Sequence, residues 1–212
     1  MGKSAPITAA GRRRVADALA RRGLLLVQGQ AEIPSVADLL AGTPVTTRGY
    51  SWDYTPAWSL TDEYERDRDV AIVKLFRGRR TLVHRRLWPA VDALAVAARH
   101  RAHERQDLHP FLVIVERSAG IPLSELRREL ALERREFDRT KRTLESWLCV
   151  FGRERDDVDY HTHEPALFPW SEGKIARGTQ RRPAPADALD ELAQAVGTTK
   201  AARCFPVARA IG

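Results

Sequence analysis

The sequence lacks the features that mark membrane-spanning and secreted proteins. Its 212 residues contain no apolar run of about 18 residues, the length that crosses a bilayer. The first residues also lack the apolar stretch of a secretory signal, so we expect a cytoplasmic protein with no membrane partner. Only two cysteines occur, Cys149 and Cys204, and they form no CxxC pair. We therefore expect free, buried thiols in a reducing compartment.

The common signatures of cofactor and metal sites are also absent. The chain has no HExxH, Walker A, GxSxG or Rossmann glycine pattern, so no cofactor is expected. Asp159-x-His161-x-His163 places three possible ligands on one side of a predicted strand. No further ligand is indicated, and we expect surface or hydrogen-bonded histidines and no metal site.

Arginine is the residue that stands out. Lys and Arg together number 35 against 28 Asp and Glu, which gives a formal net charge of +7. An excess of this kind suits a phosphate-rich partner such as nucleic acid, and a merely solvated basic surface is the alternative. With 43% hydrophobic residues, the chain has enough apolar material for a folded core.

The helix-start and helix-end signals along the chain, together with its apolar runs, predict an α+β fold that is mostly helical, with short β-hairpins. Residues 1–100 form an N-terminal α/β module in this prediction, and residues 108–170 form a winged helix-turn-helix. Residues 171–212 form a helical tail that packs on the body. Thr8 and Ser35 are expected N-caps, and Gly23 and Gly42 are expected helix ends.

Two segments carry the strongest local signals. Val70 to Phe76 and Thr81 to His84 flank the turn Arg77-Gly78-Arg79-Arg80, which predicts a β-hairpin. The apolar run from Phe111 to Val115 is a buried strand or a buried helix, since its periodicity is compatible with both.

The region from 123 to 163 has the element order of a winged helix-turn-helix. A helix from Leu123 to Leu130 is followed by a tight break, an amphipathic helix over 132–148 and a strand-like ribbon. In the amphipathic helix, Phe137, Leu144 and Trp147 face inward at helical spacing. Its outward side offers donors that suit phosphates and guanine edges in a DNA major groove. These candidate DNA-binding residues are Arg135, Arg139, Lys141 and Arg142. The alternative is a solvated helix laced with pairs such as Asp138 with Arg142.

The hairpin turn is a second candidate for DNA contact. Arg77, Arg79 and Arg80 would clamp the backbone beside the helix, since arginine at a hairpin tip suits phosphates or a narrow minor groove. A hairpin made soluble by its charges is the alternative. The ribbon at 153–159 carries more acid than base, which favours packing or a protein partner over DNA for that segment.

Four segments together form a family-like pattern: Glu32-Ile33-Pro34-Ser35-Val36, Gly49-Tyr50-Ser51-Trp52-Asp53-Tyr54, Val73-Lys74-Leu75-Phe76-Arg77-Gly78-Arg79-Arg80-Thr81-Leu82-Val83 and Phe137-x-x-x-Lys141-x-x-Leu144. Together these segments resemble the AlkZ-related proteins, a group of uncharacterised bacterial proteins. The resemblance covers roughly residues 20 to 170. It implies tandem winged-helix modules, distantly akin to DNA glycosylases that excise alkylated or crosslinked bases.

The same resemblance implies a catalytic assignment. Those glycosylases use a Gln-apolar-Gln or Gln-apolar-Asp motif to position and activate water, and Gln28-Gly29-Gln30 has that spacing. Gln28 and Gln30 are therefore the candidate catalytic residues. Glycine stands where the enzymes carry a larger apolar residue, so a polar turn is the alternative.

We expect a double-stranded DNA-binding protein of genome maintenance or regulation. An AlkZ-type glycosylase and a non-catalytic interaction module are the two alternatives, and the sequence leaves open whether the protein is an enzyme. The aromatic cluster Tyr50, Trp52, Tyr54 and Trp58 bears on this choice. Burial would make it structural, whereas exposure would mark a site for a partner or a flipped base.

Overall fold

The computed structural model describes residues 7–29, 32–45, 55–118, 120–154, 165–198 and 201–211. Within these ranges the protein is α+β, mostly helical with two small antiparallel sheets, as predicted. No helix in the described ranges is long and apolar enough to cross a membrane.

The first module is itself a winged helix. Three helices and a three-stranded sheet of order β1-β3-β2 alternate along the chain as helix, strand, helix, helix, strand, strand. In the sheet, Leu82 of the middle strand pairs with Leu25 on one side and Ile72 on the other. The elements are α1 (Ala9–Arg22), β1 (Leu24–Leu26), α2 (Val36–Ala41), α3 (Thr55–Arg66), β2 (Val70–Lys74) and β3 (Arg80–His84).

Local signals set the helix ends in this module as predicted. The Thr8 hydroxyl accepts a hydrogen bond from the Gly11 amide (3.0 Å), and Ser35 does the same for Asp38 (3.1 Å). Gly23 ends α1 with a φ of +79°, a left-handed conformation that a side chain disfavours. The third helix of the module spans Thr55–Arg66.

The second module repeats the element order of the first, with a sheet of order β4-β6-β5. The open choice for Phe111 to Val115 is settled as a helix. The helix predicted from Leu123 to Leu130 is confirmed, and Pro122, the last residue of the short strand β4, stands at its N-cap. The elements are α5 (His109–Ser118), β4 (Ile121–Pro122), α6 (Leu123–Leu130), α7 (Arg134–Ser146), β5 (Val150–Glu154) and β6 (Pro165–Pro169).

A long helix, α4 (Trp88–His103), lies between the modules, and most of the remaining helices pack on it. The C-terminal helices α8 (Lys174–Gly178), α9 (Pro185–Val196), α10 (Ala201–Cys204) and α11 (Ala208–Ile211) follow β6, and α8, α9 and α11 pack on α4. The carboxylate of Asp92, fully buried on α4, accepts hydrogen bonds from Trp170 Nε1 (2.8 Å) and Arg182 Nε (2.6 Å). Both partners satisfy a charge that burial would otherwise penalise.

The sheet of the first module is covered on both faces. Leu25 and Val27 pack with α1, α2 and α3, whereas Leu24 and Leu26 belong to the large core that includes α4 and the second module. Successive residues of a strand point to opposite faces, so a run of four buried apolar residues needs two covered faces. The sequence run from Leu24 to Val27 therefore reflects its position between two cores.

Both cysteines are buried free thiols, as predicted. Burial raises the pKa of the Cys149 thiol to about 12. A thiol with such a pKa stays protonated at neutral pH and is a poor nucleophile and metal ligand.

Candidate nucleic-acid interface

Helix α7 is the third helix of the second module, the position of the recognition helix in a helix-turn-helix. Its buried side consists of Phe137, Thr140 and Leu144, spaced three and four residues apart. Arg135, Arg139 and Arg142 are exposed on the opposite side, again spaced four and three residues apart, and Lys141 is half-buried beside them. Helix α7 therefore has one apolar and one basic side, as its residue spacing predicts.

The basic residues of α6 and α7 have few acidic partners. Among the described residues, no ion pair involves the cations on the α6–α7 surface. Asp138 and Arg142, whose pairing belongs to the alternative of a solvated helix, form no ion pair in this part of the structure. An exposed pair of this kind gains little over hydration, so its absence costs almost nothing. We call this set the α6–α7 cations: Arg127, Arg128, Arg134, Arg135, Arg139, Lys141 and Arg142.

The loop between α4 and α5 borders one edge of α7. Arg105 donates to both oxygens of Asp107 (2.9 and 2.6 Å), and this bond lowers the pKa of Asp107, with a further contribution from the nearby charge of Arg139. The Arg105 guanidinium also lies over the ring of Trp147, 5.5 Å from its centroid. Asp107 therefore stays ionised and moderates the positive potential at this edge only.

The predicted turn of the first hairpin differs from α7 in its ion pairs, because Arg77 and Arg80 have acidic partners within the first module. Arg77 forms an ion pair with Glu32. Arg80 lies 3.4 Å from a carboxylate oxygen of Glu65 and 5.0 Å from the ring centroid of Trp58. A phosphate at this turn would have to compete with these partners.

The two predicted basic elements are neighbours in space. The turn Phe76–Gly78 lies against α7, and Lys74 at the end of β2 donates to Glu145 of α7 (Nζ to Oε2, 2.6 Å). The Glu145 side chain is only 6% exposed. Phe76 is fully buried and meets Phe205 edge-on, with ring centroids 6.0 Å apart. The turn thus joins the two modules in addition to carrying charge.

Gln28 lies just after β1 and is half-buried, and Gln30 lies outside the described residues. Gly29 between them has a φ of +92°, and a Cβ there would lie 2.9 Å from Nη1 of Arg79. The larger apolar residue of the glycosylase motif would therefore require both a strained backbone and a displaced arginine. The catalytic assignment of Gln28 and Gln30 stays a prediction.

Two further predicted groups fall largely outside the described residues. Of the aromatic cluster, Tyr50, Trp52 and Tyr54 lie outside, and Trp58 is half-buried against Arg80. The triplet Asp159, His161 and His163 lies outside as well. Within the described part of the chain, no three His, Cys, Asp or Glu side chains converge to hold a metal ion.

Some members of the interface were missed by sequence reasoning. Arg127, Arg128 and Arg134 could have been found from their place at the end of the second helix and the start of the third. Glu32 and Glu65, which engage the turn arginines, gave no signal because their partners lie 45 and 15 residues away.

No protein-family model matches the chain, and neither a curated protein nor a solved structure matches it. The resemblance to the AlkZ-related proteins therefore stays a prediction. Function has to be argued from the arrangement of the side chains themselves.

Proposed function

We propose that this protein binds double-stranded DNA through its second winged-helix module, with α7 in the major groove. The observation that carries the proposal is the contrast between two sets of arginines. The α6–α7 cations form no ion pairs among the described residues, whereas Arg77 and Arg80 of the first hairpin each have a carboxylate partner.

The shape of α7 suits this role. A major groove about 12 Å wide admits one α-helix, whose outward side chains then reach base edges and phosphates. Arg135, Arg139 and Arg142 lie on one side of α7, opposite Phe137 and Leu144, which hold the helix on the module. The helix can therefore enter the groove without losing its packing.

The α6 helix supports the same orientation. In a helix-turn-helix, the helix before the recognition helix crosses the DNA backbone. Arg127 and Arg128 are exposed in the last turn of α6, next to the break that leads to Arg134. They are placed to contact phosphates, which would give affinity without sequence selection.

The test is a titration of a fluorescent 20-base-pair duplex of mixed sequence, followed by anisotropy at several salt concentrations. We expect the triple variant R135E/R139E/R142E to bind at least about 100-fold more weakly. Its log–log salt slope should fall by about 2.7, since each lost phosphate contact removes about 0.9.

A matched control carries the same change in net charge on another surface. Arg13, Arg21 and Arg22 are exposed on α1, which belongs to the first module, so R13E/R21E/R22E should retain affinity within about fivefold. Equal losses in the two triple variants would contradict the proposal, as would wild-type binding that does not depend on salt. Circular dichroism of all three proteins checks that the fold is kept.

A further inference from the structure

A pair of histidines lies at the junction of the two modules. His103 is the last residue of α4 and His109 is the first residue of α5. Their Nδ1 atoms are 3.3 Å apart, and the ring planes meet at 69° with centroids 5.4 Å apart. The two nitrogens thus lie close enough to contact the same atom.

The other side of the His103 ring is fixed by a carboxylate. Nε2 of His103 lies 3.2 Å from Glu116 on α5, and Glu116 also accepts a hydrogen bond from Arg99 Nε (2.5 Å). An ionised carboxylate can only accept, so Nε2 of His103 carries the proton. The lone pair of the neutral ring is then on Nδ1 and points toward His109.

This arrangement is that of a metal ligand with its supporting carboxylate. Two zinc–nitrogen bonds of about 2.05 Å at the tetrahedral angle place the nitrogens about 3.3 Å apart, the separation found here. A ligating histidine commonly donates its second N–H to a carboxylate, which orients the ring and raises its basicity.

We propose that His103 and His109 bind a divalent transition-metal ion such as Zn²⁺ through their Nδ1 atoms, with Glu116 as the positioning residue. Since no third protein ligand converges among the described residues, water or an external ligand would complete the coordination. Without metal, the Nδ1–H of His109 donates a hydrogen bond to Nδ1 of His103. Binding sends that proton to solvent while His109 Nε2 takes one up, so the ring stays neutral.

The bound ion would join the end of α4 to the start of α5. Both histidines are accessible, His109 being exposed and the His103 side chain 30% exposed, so an ion can reach them from solvent. The site does not depend on the proposed DNA-binding function.

The test uses the full chain, stripped with EDTA and titrated with ZnCl₂ by isothermal calorimetry. We expect one equivalent to bind, and H109A and H103A to weaken binding at least tenfold. E116Q should weaken binding about tenfold, the lower range for loss of a supporting carboxylate. Long-range ¹H–¹⁵N spectra should show both Nδ1 resonances shifting on addition of Zn²⁺.

Three control variants separate this site from other sources of binding. His100 is exposed on α4 one turn before His103, and H100A should bind Zn²⁺ as the wild type does. R99Q removes the other partner of Glu116 and should change the affinity less than threefold. H161A/H163A removes the histidines at 161 and 163. The proposal fails if the wild type binds no Zn²⁺, if H161A/H163A abolishes binding while H109A does not, or if Nε2 resonances shift instead.

Discussion

The third helices of the two modules hold the same place in the same fold but carry opposite charge. On α3, Asp62, Glu63 and Glu65 are exposed, and the last two engage Arg12 and Arg80. The outward side of α7 is instead lined with arginines that have no ion pairs within the described chain. The two modules therefore share a fold but not a surface charge, which is set by the side chains on the third helix.

The first hairpin shows what the first module does with its basic residues. Arg77 and Arg80 are paired within the module, and the turn packs on α7 and Phe205. The first module thus acts as a support for the second, and the second presents the charge. Three sets of substitutions test this division of roles between the modules.

Phe76→Ala should lower the free energy of unfolding by about 3–5 kcal/mol, measured by urea denaturation. The ring is fully buried between the hairpin and Phe205, so its loss removes apolar contacts and leaves a cavity. Arg77→Ala, at the next residue, is the control and should cost less than about 1 kcal/mol, because it removes an exposed ion pair and a half-exposed guanidinium that lies 5.6 Å from the centroid of the Phe76 ring. A negligible effect of Phe76→Ala would mean that the turn is not a packing element.

Lys74→Met should cost about 1–3 kcal/mol, because it leaves the carboxylate of Glu145 buried without its cation. The half-exposed position of Lys74 keeps the cost below that of a fully buried pair. Adding Glu145→Gln removes the unpaired charge, so the double variant should regain part of the lost stability. Additive losses in this double-mutant cycle would show that the two modules are not coupled through the pair.

Removing the negative charge of α3 should strengthen DNA binding modestly. E63Q/E65Q abolishes two carboxylates and frees Arg12 and Arg80, and we expect a gain of about three- to tenfold at low salt with a steeper salt slope. Anisotropy with the duplex used for the α7 variants measures the gain. D187N/E191Q on α9 is the matched control. An equal gain there would assign the effect to net charge and not to the position of α3.

Much of the fold could be predicted because its signals are local. The hydroxyl caps Thr8 and Ser35, the helix end at Gly23 and the two apolar runs around Arg77-Gly78-Arg79-Arg80 each depend on a few neighbouring residues. The run from Phe111 to Val115 could not be assigned from its pattern. It is apolar at every position, so it fits a strand as well as a helix.

The candidate interface was only partly predictable, because some of its features depend on neighbouring residues and others on residues far apart in the chain. The spacing of Arg135, Arg139 and Arg142 revealed their common side, since three- and four-residue steps define one side of a helix. The pairing of Arg77 with Glu32 depends on tertiary structure that brings together residues far apart in the chain. Charge alone therefore ranked the hairpin turn and α7 as equals, and only the folded arrangement separates them.

The four apolar residues that begin at Leu24 have a consequence for any attempt to dissect this protein. A fragment ending at β3 would retain the contacts of Leu25 and Val27 but expose Leu24 and Leu26 to water. Such a fragment would expose an apolar surface and would self-associate instead of staying monomeric. The two winged helices are thus halves of one cooperative unit. A ligand that binds either of them would raise the melting temperature of the whole protein.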